Sequence, residues 1–102
     1  MAYSDPTLEK LFSLCGNVCA FPGCSAPIID TSFGVRVGEI CPIKGKRPGS
    51  ARYDQEQTEE ERNSYENLLV MCRPHHKIVD DMATRDQFPV ELLRKYKAEH
   101  EA

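Results

Sequence analysis

Two close pairs of side chains carry the clearest chemical signal in this sequence. Cys19 and Cys24 are separated by four residues, and Cys72 and His75 by two. A knuckle or one helical turn brings the two ligand atoms of such a pair together, so each pair can chelate one side of a single ion. Three thiolates and one imidazole form a closed tetrahedral set that suits structural zinc. A clip from Cys24 to Cys72 also closes a long loop, which matters most in a short chain. The competing reading, ordinary buried cysteines, needs two chelating pairs beside turn residues to arise by chance. Cys15 reads as core at a helix end, and His100 as a solvated residue in the last polar turn. His76 follows His75 directly, and neighbouring helical residues point about 100° apart, so the two do not share one ion. The plain reading of what is left makes His76 a surface histidine and Asn67 a turn cap.

Several elements must position these residues. Ser4-Asp5-Pro6 and the apolar positions Leu8, Leu11 and Phe12 predict a capped helix running to about Leu14, with Gly16 as its stop. Pro22-Gly23 demands a tight turn inside the Cys19–Cys24 knuckle. Pro27–Asp30 and Val35–Ile40 read as two extended runs turned by Ser32-Phe33-Gly34, a β-hairpin. Lys44 to Tyr53 is a surface loop, and Thr58 with Glu61 is a capping box opening a short polar helix through about Tyr65. The apolar run Leu68–Cys72 leads into a short helix with Pro74 near its first turn. Pro89 to Lys97 forms a last amphipathic helix with Leu92, Leu93 and Tyr96 inward.

Composition bounds what such a chain can be. Its 102 residues suffice for one small domain, whose limited core calls for a further source of stability. A net charge of -3 argues against nucleic-acid binding through bulk positive charge, but permits a local basic patch. Five cysteines, an odd number, without a basic, apolar leader argue against a disulfide scaffold and for reduced thiols in a cytoplasmic protein. No apolar run approaches the length of a membrane span.

Cys19-Ala-Phe-Pro-Gly-Cys24, Val37-Gly-Glu-Ile40, Arg52-Tyr53-Asp54, Glu66-Asn67-Leu68, Cys72-x-x-His75-His76 and Asp80 together resemble the HNH endonucleases. The match is closest to the zinc-stapled subtype that ends in a Lys-x-x-His-Glu turn, here Lys97 to Glu101, and it covers about residues 10 to 101. The resemblance implies an α+β fold, a small ββα-metal (His-Me finger) domain with flanking helices and a structural zinc. A single domain would fill residues 1–102, with its motif core at about 17–80 and its C-terminal helix at about 89–101. Domains of this subtype are often fused to sensor or effector modules, including in antiphage systems, so the chain is compatible with a piece of a larger protein. A homodimer is likewise compatible with the sequence.

The resemblance also implies cleavage of phosphodiester bonds, usually in DNA. In the family a first His on the second strand is the general base. An Asn positions the site's loop and can join the metal, and a last His ligates the catalytic cation, magnesium, manganese or another divalent ion. Asn67 and His76 match the second and third positions. The first holds Pro42, in Glu39-Ile40-Cys41-Pro42-Ile43. A proline accepts no proton, and a positioned base contributes about 10²–10⁴-fold. Cys41 stands where many members place a second metal ligand, and a thiolate suits zinc or another soft ion better than magnesium. The proline is tolerable only at a strand end. Lys44, Lys46, Arg47 and Arg52 form a basic loop expected to hold phosphates, with no base-reading helix beside it. The expectation is an HNH-type DNA endonuclease domain impaired or inactivated by Pro42. The alternative is a non-catalytic zinc-stapled module that binds nucleic acid or protein.

Overall fold

The computed structural model describes residues 3–102. Met1 and Ala2, part of the N-terminal stretch read above for a leader, lie outside it. Helix α1 spans Asp5–Leu14, as its local signals require: Ser4 stays extended, its Oγ accepts from the Thr7 amide at 3.3 Å, and Pro6 sits in the first turn. Leu11 is buried, and Cys15 closes the helix as a core residue whose thiol donates to the Phe12 carbonyl at 3.3 Å. Asn17 adopts a left-handed φ of 57°. Its Oδ1 accepts from the Ile28 and Ile29 amides at 3.2 and 2.7 Å, and its Nδ2 donates to the Ile29 carbonyl at 3.1 Å. One side chain there does the work of a neighbouring strand.

The knuckle between these points has the expected tight turn. Gly23 takes φ 81°, and the Cys24 amide donates to the Phe21 carbonyl at 3.0 Å. The Ala20 amide donates to the Val70 carbonyl at 2.9 Å, which bolts the knuckle to the sheet.

The sheet differs from the expected hairpin. Strand β1, Glu39–Pro42, pairs antiparallel with β2, Leu68–Met71, so that Glu39 faces Met71 and Pro42 faces Leu68. Residues 28–37 do fold back as a short hairpin outside this sheet, with a bridge between Ile29 and Arg36 and with the Asp30 and Val37 amides donating to the Val35 and Ile28 carbonyls at 2.8 Å each, while Glu39–Pro42 leaves it to join β2. Both pairings form, and burial sets them apart. Val35 and Val37 are 56% and 41% exposed with no face to cover, whereas all four residues of β2 are buried. Gly38 lets the chain enter β1 tightly, because a Cβ there would stand 2.6 Å from Ile28 Cδ1.

Pro42 is the last residue of β1, and the register explains why it fits. The Ile43 amide donates to the Asn67 carbonyl at 2.7 Å, so hydrogen-bonded pairs alternate away from Pro42 and its missing N–H would have pointed outward. The outward carbonyl of its partner, Leu68, accepts from Lys97 Nζ at 2.6 Å.

The long connection after β1 carries the expected capping box. Helix α2 is only Glu59–Arg62, with the Thr58 and Glu61 side chains satisfying each other's backbone amides. A tight 3₁₀ turn, Tyr65–Asn67, replaces the expected continuation to Tyr65 and feeds β2. Helix α3 spans Arg73–Asp80 and α4 spans Val90–His100. The central order is therefore strand, strand, helix, with α1 and α4 flanking. The core gathers Leu11, Ile28, Ile43, Leu69, Val79 and Leu93. His100 is not solvated as expected: its Nε2 lies 2.9 Å from the Val18 carbonyl, which ties the end of α4 to the knuckle. Among the described residues no helix is long and apolar enough to cross a membrane.

Candidate metal centres

Two clusters of metal-ligating side chains converge on α3, and adjacent histidines serve them. The first joins Cys19, Cys24, Cys72 and His75, whose ligand atoms all lie within 4.8 Å of one another. Cys72 immediately precedes α3, and Pro74 in the first turn carries the chain round so that His75 Nδ1 lies 3.2 Å from the Cys72 sulfur. Cys19 Sγ stands 3.6 Å from the same nitrogen, and Cys24 Sγ stands 4.0 Å from Cys72 Sγ. The Phe21 amide donates to Cys19 Sγ at 3.4 Å, a contact that favours a thiolate. The Phe21 ring lies flat on His75, with centroids 4.0 Å apart and planes 3° from parallel, and this fixes the imidazole's orientation. Burial pushes the Cys19 thiol up to about 12. Without a cation the cluster therefore keeps its proton there. These four residues can hold one metal ion.

The second cluster is Cys41, His76 and Asp80, again with ligand atoms within 4.8 Å. Cys41 and Glu39, two residues apart on β1, both reach α3. His76 and Asp80 stand one helical turn apart on α3 and meet at 3.0 Å through Nε2 and Oδ2. The other imidazole nitrogen, Nδ1, is 2.8 Å from Glu39 Oε1. The cluster opens onto a shallow cleft walled by Glu39, Arg73, Lys77 and the two α3 ligands. Cys41 is buried.

The charges in this second cluster are tightly coupled. Asp80, then Cys41 and Glu39, raise His76 to about 11 against the opposing effect of burial. Burial of Asp80 opposes its ionisation, but His76 and Arg52 outweigh it and hold the carboxyl below its usual range. Burial pushes the Cys41 thiol up.

Asn67 and the basic loop have different fates from the expected ones. Asn67 is buried and spends its side chain on the chain itself. Its Oδ1 accepts from the Lys44 amide at 2.9 Å, and its Nδ2 donates to the Lys44 and Arg62 carbonyls at 3.0 and 2.9 Å. It pins the two ends of the long connection and is not turned to an ion. Arg52 is a correction to the phosphate-binding set, since its side chain is only 7% exposed. Its Nε donates to the Ile43 carbonyl at 2.5 Å, its Nη1 to Val79 and Phe88 carbonyls at 2.8 and 3.3 Å, and its Nη2 to Asp80 Oδ1 at 2.5 Å. Arg52 holds a left-handed φ of 58° to make these bonds, a conformation that costs a non-glycine residue of order 1 kcal/mol. Lys44 pairs with Asp54 at 2.9 Å, Lys46 lies over the Tyr3 ring, and Arg47 is exposed. Four cations adjacent in sequence therefore do not form one basic patch.

Asp80 as a ligand and Arg52 as its holder were not singled out as such by sequence reasoning. The i, i+4 spacing of His76 and Asp80 was a signal that could have found the first. Comparison of the chain with protein-family models and with curated proteins finds no match to either. Fold and clusters together define a small α+β domain with two candidate metal centres back to back on one helix.

Proposed function

We propose that this chain is a zinc-stapled ββα-metal domain of the HNH type that acts on nucleic-acid phosphodiesters, with its hydrolytic step crippled at Pro42. The observation that carries the reading is the second cluster. A strand end and the following helix bring Cys41, His76 and Asp80 together one residue from Pro42, on a strand–strand–helix unit.

Zinc fits the first cluster. A tetrahedral ion with Zn–S of about 2.3 Å and Zn–N of about 2.0 Å needs S···S edges of about 3.8 Å and S···N edges of about 3.5 Å. The distances of 4.0, 3.6 and 3.2 Å bracket those edges. A divalent ion fits the second cluster, which has three ligands and an open side. When bound there it would polarise a phosphate oxygen and stabilise the leaving group. The chain's own residues would do the rest. Glu39 orients His76 through Nδ1, Arg52 holds one oxygen of Asp80 so that the other faces the centre, and Asn67 keeps the connecting loop in place. What is missing is a proton acceptor at position 42.

A plasmid-nicking assay with magnesium, manganese or zinc tests this reading. The chain should nick weakly or not at all, and Pro42→His should raise ion-dependent nicking by at least about a hundredfold, the low end of a general base's contribution. No gain from Pro42→His would remove the nuclease reading. Pro42 itself favours a second reading, a non-catalytic module on the same scaffold. Salt-sensitive DNA binding that Pro42→His leaves without cleavage would support it.

A further inference from the structure

We infer that Cys41 is the specificity determinant of the second centre, which takes a thiophilic zinc-class ion and discriminates against magnesium, with Arg52 as a positioning residue for its carboxylate arm. The inference rests on the proposal that Cys41, His76 and Asp80 hold an ion, and it names which ion they select.

The argument starts from the donor atoms. Magnesium demands near-octahedral oxygen coordination and keeps much of its water, whereas sulfur and imidazole nitrogen favour zinc, cobalt and related ions. The second centre offers one sulfur, one nitrogen and one carboxylate. The sulfur is also fully buried, 0% exposed, so no water-rich ion can approach it without losing its shell. The only oxygen that faces the cluster from the helix is Oδ2 of Asp80, because Arg52 takes Oδ1. Glu39, the other nearby carboxylate, is occupied with His76 and lies 3.7 Å from the Arg73 guanidinium. An ion there meets a compact S, N, O set rather than a cage of oxygens.

Arg52 bears on this because it limits what Asp80 can do. Its guanidinium is anchored to three carbonyls as well as to Asp80, so the carboxylate cannot swing to chelate through both oxygens. Partners of this kind, which orient a ligand without touching the ion, typically change metal affinity by about 10–100-fold.

The test uses the full chain with its Cys19, Cys24, Cys72 and His75 cluster loaded with zinc, titrated with cobalt and then challenged with magnesium. The expected result is a further equivalent of cobalt with a sulfur-to-cobalt charge-transfer band in the near ultraviolet, unmoved by millimolar magnesium. Cys41→Ser should remove that band while leaving the far-ultraviolet circular dichroism in place. Arg52→Lys should weaken the second cobalt by about tenfold or more without moving the band. Displacement of cobalt by magnesium in the unaltered chain would overturn the inference while leaving an ion-binding centre intact. So would a further cobalt without a thiolate band, a measurement that does not depend on any variant folding. Absence of any further equivalent would overturn both this inference and the ion-binding reading under it.

Discussion

The two candidate centres on α3 use adjacent histidines, yet their surroundings differ. Around His75 the partners are three thiols drawn from both sides of the chain, with Phe21 stacked on the ring, and no carboxylate joins them. Around His76 the partners are one buried thiol and two carboxylates, with an arginine behind them and a cleft in front. The first arrangement clips a knuckle to a helix across a long stretch of sequence. The second leaves a face open. On the proposed reading, closure by soft ligands and stacking would make the first a strut, and mixed ligands beside an opening would let the second bind and release a ligand. The same helix serves both because a step of one residue turns the side chain by about 100°.

The sharpest way to break this contrast is to remove one ligand from the strut. Cys72→Ser should leave the domain largely unfolded, because apparent zinc-binding free energies of about 10–16 kcal/mol are comparable to the whole stability of a small domain. Circular dichroism would read it, and a cooperative melt near that of the unaltered chain would show that the strut is dispensable.

Behind the second centre, Arg52→Ala should lower stability by about 3 kcal/mol. It strips donors from the Ile43, Val79 and Phe88 carbonyls and leaves Asp80 without its cation. Urea denaturation of the zinc-loaded protein measures this. A loss under about 0.5 kcal/mol, the scale of a neutral surface change, would mean the guanidinium is no more than a surface group.

A third effect separates the centres by pH. With the second cluster empty, Asp80 and then Cys41 and Glu39 raise His76 to about 11, above its usual value of 6.5. The stabilisation it draws from Asp80 and Glu39 should therefore be complete below about 6.5 and fade as pH rises through about 11. The stability difference between the unaltered chain and His76→Gln, followed by urea melts, should shrink over that range. A difference that grows with pH would contradict the ion-paired imidazolium.

The first centre was legible in sequence because its chemistry is local. Cys19–Cys24 and Cys72–His75 are each held by a turn or about one helical turn, and Pro22-Gly23 and Pro74 announce both. Capping residues were legible for the same reason, at Ser4 and at Thr58 with Glu61. What could not be read depended on contacts distant in sequence. Residues 28–37 carry the alternation of a strand, but the partner of β1 lies beyond a long connection. The local fold-back of 28–37 was therefore legible, and the pairing of β1 with the buried Leu68–Met71 was not. Arg52 looked like one more cation in a basic loop, and nothing in its neighbours reveals that three carbonyls and Asp80 converge on it. Lys44 and Asp54 are ten residues apart, so their pairing was equally hidden. Asn67 was legible as an organiser of the loop, though not through the bonds it makes to Lys44 and Arg62.

Native mass spectrometry of the zinc-saturated chain, titrated with a weak chelator while circular dichroism is followed, tests the division of labour between the centres most directly. The account predicts two bound ions. The first to leave should do so with the fold intact, and the second only as the fold is lost. A single ion at saturation, or unfolding that accompanies loss of the first ion, would contradict it.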